Sequence, residues 1–166
     1  MNFLISLKEK KDYFLKKENI IYFIIIVVLF SIDRLSKLKI TNSLSDKIYY
    51  INDFININLI WNTGIGFGIL STNSSLFYNL ITILIGFVIL FLLNILIISE
   101  NMDKIIYSII IGGALGNFYD RLIYKAVPDF IDLHLNNFHW FTFNVADIFI
   151  SGGILFFIVR SFFIKN

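Results

Sequence analysis

The chain has no cysteine, one proline and no low-complexity tract among its 166 residues. A disulfide framework, a thiolate metal site and a thiol nucleophile are therefore excluded, and nothing marks a long linker. Charge is scarce too: 16% of the residues are charged against 57% hydrophobic, with a net charge of +2. That surplus is too small, and the lysines too dispersed, to hold nucleic acid. No HExxH pair is present, and no Lys-Ser/Thr follows the glycines at 112–116 to complete a phosphate loop.

What the chain has is apolar length. Four segments, roughly 19–40, 74–99, 104–122 and 141–164, approach or exceed the ~20 residues that a bilayer span needs. They predict four transmembrane helices in a single membrane domain, 1–166. The first could be read as a cleaved leader, because Lys8, Lys10, Lys11, Lys16 and Lys17 precede a short apolar core. Against this, the core runs straight into Asp33, Arg34 and Lys37 without a small-x-small cleavage site, so a retained span is expected. An even number of spans puts both termini on one side, and the lysine-rich tail at 1–18 assigns that side to the cytoplasm. The segments at about 41–73 and 123–140 then lie outside.

Both external segments alternate like strands. In "FININLIWN" residues Ile55, Ile57, Leu59 and Trp61 share one face at period two, with Asn56 and Asn58 on the other. In "DFIDLHLNNFHWF" Ile131, Leu133 and Leu135 alternate with Asp132, His134 and Asn136, and Asn136-Asn137 forms a turn before a second short strand. The expected architecture is an all-α integral membrane protein, with a small external β-sheet between helices 1 and 2 and a short strand region between helices 3 and 4.

Charges inside spans cost about 2.5 to 3.5 kcal/mol each at a helix centre, so each asks for a partner or a function. Here they gather at the outer helix ends. Asp33 and Lys37 are four residues apart on the first helix and able to pair. Gly113, Asn117, Asp120 and Arg121 make a stripe on the third, and Asn144, Asp147 and Ser151 another on the fourth. Counting from residue 141, Asp147 lies about 9 Å down its helix at 1.5 Å per residue.

Plain structural readings compete with each feature. Asp33 with Lys37 serves equally as an ion pair tying helices together. Gly112 and Gly116 fit a helix-packing surface. Asp120 and Arg121 fit a cap and an interfacial anchor. His134 and His139 fit exposed strand positions, and Phe138, Trp140, Phe141 and Phe143 an aromatic interfacial belt. Ser151 has no histidine partner within the spans, so a serine triad is disfavoured. What survives is a set of carboxylates. Asp129 and Asp147 are 18 residues apart across a hairpin that could return one to the other. Two facing carboxylates in a poorly solvated site share a proton, and such a pair can activate water while polarising a carbonyl.

Five blocks in order carry a resemblance: "DRLSK" (33–37), "NTGIGFGIL" (62–70), "GGALGNFYDRL" (112–122), "VPDF" (127–130) and "FNVAD" (143–147). They resemble the lipoprotein signal peptidases (signal peptidase II), bacterial integral-membrane aspartic proteases, over essentially the whole chain after its tail. The resemblance implies that Asp129 and Asp147 are the catalytic dyad. It further implies that Asn117, Asp120 and Arg121 support them, that Asn62, Gly64, Asn144 and Ala146 line the substrate site, and that Asp33 and Lys37 are the helix 1 motif. Pro128 departs from the aliphatic residue usual before the first aspartate.

The implied substrate is a diacylglyceryl-modified prolipoprotein cut on the amino side of its lipidated cysteine. No metal and no cofactor are expected. The expected surroundings are membrane lipids and the bacterial inner membrane, with the site toward the outer face and the protein a monomer. A small ion or proton transporter using intramembrane carboxylates is the alternative, and a metal enzyme built on Asp129, Asp132, His134 and His139 a further one.

Overall fold

In the computed structural model, residues 17–43, 48–64 and 75–163 are described. Most of the lysine-rich tail and residues 65–70 of the "NTGIGFGIL" block lie outside them. Among the described residues there are four long helices: α1 (Lys17–Ser43), α2 (Ser75–Ile98), α3 (Asn101–Tyr124) and α4 (Val145–Phe163). Three of them, α1, α2 and α4, are long and apolar enough to cross a membrane. Their surfaces carry exposed Phe23, Val28, Leu84, Phe87, Phe91, Leu155 and Phe156, which no core of this size could cover. The chain is thus a mostly helical membrane protein.

Helix α3 is more polar because it is the centre of the bundle, packing against α1, α2 and α4. Its glycines decide how closely. A Cβ on Gly112 would sit 2.9 Å from the Leu29 Cβ, and one on Gly113 would sit 2.6 Å from the Ala146 carbonyl oxygen. A Cβ on Gly116 would collide with the Asp33 carboxylate. The small residues therefore let α1 and the start of α4 press onto the α3 backbone, as a packing surface requires. Helix α3 stops at Lys125, whose φ of 56° is a left-handed cap.

The strands join into one antiparallel sheet of order β1-β2-β3-β4: β1 (Tyr49–Asn52), β2 (Ile55–Asn62), β3 (Val127–Leu135) and β4 (Phe138–Phe143). The turn between β1 and β2 is closed by the Asn52 Oδ1, which accepts from the Phe54 and Ile55 amides at 2.9 Å each. The β3–β4 turn is the expected Asn136-Asn137, with Asn136 at φ 52° as a two-residue hairpin demands. Separate strand regions were expected. Instead β2 pairs directly with β3, which brings the 55–62 segment beside the strand that follows α3.

Three further expectations are corrected. Residues 141–143 belong to β4, so α4 starts at Val145 and Asp147 sits in its first turn, shallower than the count from residue 141 gave. In β2 the buried residues are Asn56, on the side of Asp132, and Asn62, on the side of Asp129, whereas Trp61 is exposed. A register shift between Ile57 and Ile60 breaks the simple period-two count. His134 is buried, while His139 opposite it is the exposed one and binds the Asp132 carboxylate at 2.7 Å.

Candidate active site

Asp147 owes its place to a helix start. Asn144 immediately precedes α4, and its Oδ1 accepts from the Asp147 amide at 3.1 Å. The Asp147 Oδ2 reaches back to the Asn144 amide, also at 3.1 Å. This is a reciprocal capping box with aspartate in the third helical position, and it fixes the carboxylate at the mouth of the helix. The Ala146 amide, another donor with no partner inside the helix, is taken by the Asp33 Oδ1 at 3.0 Å.

Asp129 comes from β3 and meets the same residue. Its Oδ1 accepts from the Asn144 Nδ2 at 2.5 Å, and its Oδ2 accepts from the Asn62 Nδ2 at 2.8 Å. Asn144, fully buried, therefore hydrogen-bonds both carboxylates at once. Asp129 and Asp147 are themselves only 3% and 8% exposed, which leaves little water to stabilise two charges. Burial first, and the negative charge of Asp147 second, push the Asp129 carboxyl up to about 6, against the opposing pull of the Asn62 and Asn144 amides.

Three asparagines share one arrangement. Each presents its Nδ2 to a carboxylate while its Oδ1 is held by a donor on the far side. For Asn62 that donor is the Gly64 amide at 2.7 Å, and for Asn144 the Asp147 amide. For Asn117, whose Nδ2 donates to the Asp147 Oδ1 at 2.8 Å, it is the Lys37 ammonium at 2.7 Å. An amide flip at any of them would turn an oxygen toward a carboxylate, so the outer donors set the inner ones.

The remaining residues singled out in the sequence stand one layer away. Lys37 also binds the Asp33 Oδ2 at 2.8 Å and the Asp120 Oδ2 at 2.7 Å. Asp120 touches neither Asp129 nor Asp147; its other oxygen pairs with Arg34. Arg34, absent from the residues chosen on sequence, lies 4.6 Å over the Tyr119 ring and completes a buried set of two cations and two anions. Its adjacency to Asp33 in "DRLSK" was the available signal. Arg121 donates to the Gly64 carbonyl at 2.8 Å and the Asn117 carbonyl at 3.2 Å, tying the exit of β2 to α3. Tyr78, also absent from that set, reaches the Arg121 carbonyl from α2 at 3.3 Å. Asp132 and His134 project from the opposite side of β3 to Asp129, since residues three apart on a strand face opposite ways. The four residues of a metal site there are not brought together.

All eleven residues chosen on sequence thus fall in one connected cluster, built from α1, β2, α3, β3 and the start of α4. The family model for signal peptidase (SPase) II matches residues 25–163, a span that contains the whole cluster. The chain belongs to the signal peptidase II family. It is 47% identical over 146 residues to the lipoprotein signal peptidase of Pelagibacter ubique (strain HTCC1062), covering 86% of this chain and 88% of that protein. It is 41% identical over 149 residues to the lipoprotein signal peptidase of Thermodesulfovibrio yellowstonii (strain ATCC 51303 / DSM 11347 / YP87), covering 89% and 95%. Among solved structures, a bacterial membrane enzyme determined by the in meso method at 2.3 Å resolution superposes with a TM-score of 0.72 at 28% identity, covering 85% of this chain and 87% of that one. Membership in the signal peptidase II family makes the chain a membrane protease of lipoprotein processing.

Proposed function

We propose that Asp129 and Asp147 are the acid-base pair of an aspartic endopeptidase that removes signal peptides from diacylglyceryl-modified prolipoproteins. The observation that carries this reading is Asn144, one buried residue hydrogen-bonded to both carboxylates. With one proton shared between them, the ionised carboxylate takes a proton from water as its oxygen attacks the scissile carbonyl. The protonated carboxylate gives its proton to the carbonyl oxygen. As the tetrahedral intermediate collapses and its C–N bond breaks, the carboxyl protonated by water gives its proton to the leaving amine of the lipidated cysteine, and the other carboxylate takes a proton from the gem-diol, which restores the one-proton pair. The asparagine N–H groups hold both carboxylates in register without taking part in proton transfer.

The placement in the membrane belongs to the same proposal. All four helices cross the bilayer with both termini in the cytoplasm, and the pair faces the outer surface of the bacterial inner membrane. Asp147, in the first turn of α4, then sits at the interface. Beside it Phe138, Trp140 and Phe141 are exposed on β4, as an aromatic interfacial belt requires. A substrate anchored by its own acyl chains is held at this depth, with its cysteine peptide bond near the carboxylates, and a monomer suffices. The test is cleavage by purified protein of a prolipoprotein peptide with and without the diacylglyceryl group. The lipidated peptide is expected to be cut on the amino side of cysteine at least ~100-fold faster, since remote binding energy is what positions the bond. Equal cutting of both peptides rules out lipid-directed recognition.

A further inference from the structure

Of the three asparagines at the carboxylates, Asn62 and Asn144 have their oxygens bound by backbone amides, and Asn117 has its oxygen bound by a side chain. That side chain, Lys37, is 1% exposed; its ammonium hydrogen-bonds Asp33 and Asn117 and forms an ion pair with Asp120. Two routes run from the ammonium to Asp147. One passes through the Asn117 amide to the carboxylate, the other through Asp33 to the Ala146 amide, next to Asp147 in the first turn of α4. We propose that Lys37 is a positioning residue for peptide hydrolysis, fixing the flip of Asn117 so that this amide donates to Asp147. The proposal rests on the reading of Asp129 and Asp147 as the reacting pair.

The physical case is a comparison of two amide orientations. In the observed one, the Asn117 oxygen meets an ammonium and its nitrogen meets a carboxylate. In the flipped one, both contacts become repulsive in a site closed to water. Without Lys37 the oxygen loses the donor that separates these states, and Asp147 loses a fixed hydrogen bond. Arginine cannot substitute, because a planar guanidinium does not present one compact charge to Asp33, Asn117 and Asp120 together. A merely structural lysine would stabilise the bundle without affecting the reaction through Asn117.

The experiment is a double-mutant cycle on turnover of a diacylglyceryl prolipoprotein peptide, using Lys37→Met, Asn117→Ala and the double variant, with melting temperature measured on each. Lys37→Met is expected to lower kcat on the order of 100-fold, the scale of a misplaced reacting group, with KM unchanged. In the Asn117→Ala background the same change should cost less than threefold. Equal losses in both backgrounds overturn the proposal. If Lys37→Met does not fold, Asp33→Asn combined with Lys37→Met removes one charge of each sign and enters the same cycle under the same criterion. Asp147→Asn is run alongside: its inactivity with an additive cycle condemns the role of Lys37 alone, whereas full activity condemns the carboxylate pair and the proposal with it.

Discussion

Replacing Asp129 or Asp147 with asparagine lowers kcat on a lipidated prolipoprotein peptide by about 10⁴-fold or more, the size of loss seen when one member of a concerted catalytic unit is removed. Asparagine matches aspartate in shape but neither takes the proton from water nor delivers one to the carbonyl. The fold should survive, and at position 129 the effect on stability should depend on pH. The Asp129 carboxyl is raised from 3.8 to about 6, so its contribution to stability is fully present below pH 3.8 and lost as the pH rises through about 6. At pH 7 the native aspartate is therefore a charged group held at a cost, and Asp129→Asn removes that cost but turns an amide N–H toward the Asn62 or Asn144 Nδ2, itself held as a donor. Measured against wild type, the melting temperature of Asp129→Asn in detergent should compare more favourably at pH 7 than near pH 4, where the native carboxyl is neutral. A strained site retained for activity behaves in this way. Wild-type turnover by either variant contradicts the assignment.

The second large effect is at Asn144. Asn144→Ala removes the cap of α4 and the amide donor to Asp129 together, so it should cost about 1 kcal/mol of stability and about 10²- to 10³-fold in kcat. Asn144→Ser separates the two roles. Serine caps a helix about as well as asparagine, so stability should stay near wild type. Its single hydroxyl, turned to the Asp147 amide, leaves the Asp129 Oδ1 without its donor and Asp129 held by Asn62 alone among the two amides, so turnover should fall nearly as far as in the alanine variant. Melting temperature and kcat on the same two proteins check this. Parallel loss or parallel retention of both properties is the contrary outcome.

Much of the site was legible in the sequence because the chemistry is local. Aspartates, asparagines and an arginine at helical spacings of three and four could only be costly in lipid, so their convergence at one end of the helices was readable without a fold. The pairing of β2 with β3 was not, because the strands are separated by two helices and alternation names no partner. Residues 141–143 were taken into the last helix because three aromatic or polar residues beside an apolar run carry no period of their own. Asn144-x-x-Asp147 did carry the signal of a helix start, and reading it as a capping box would have placed the boundary correctly. The burial of Asn56 and Asn62 was hidden for a different reason. Beside a bilayer the apolar side of a strand need not be the covered one, and a register shift after Ile57 moves Asn62 onto the side of Asp129.

If Asp129 and Asp147 act as one proton-sharing pair, the pH dependence of kcat/KM on a lipidated peptide must show it. The macroscopic ionisations belong to the pair, not to either residue. Activity should fall about tenfold per pH unit above the upper ionisation, at about 6 or higher given the raised Asp129, and again on the acid side once both carboxylates hold protons. Such a two-limbed profile, unchanged by EDTA, is the expected result. A kcat/KM that stays flat across roughly pH 4 to 9 contradicts it.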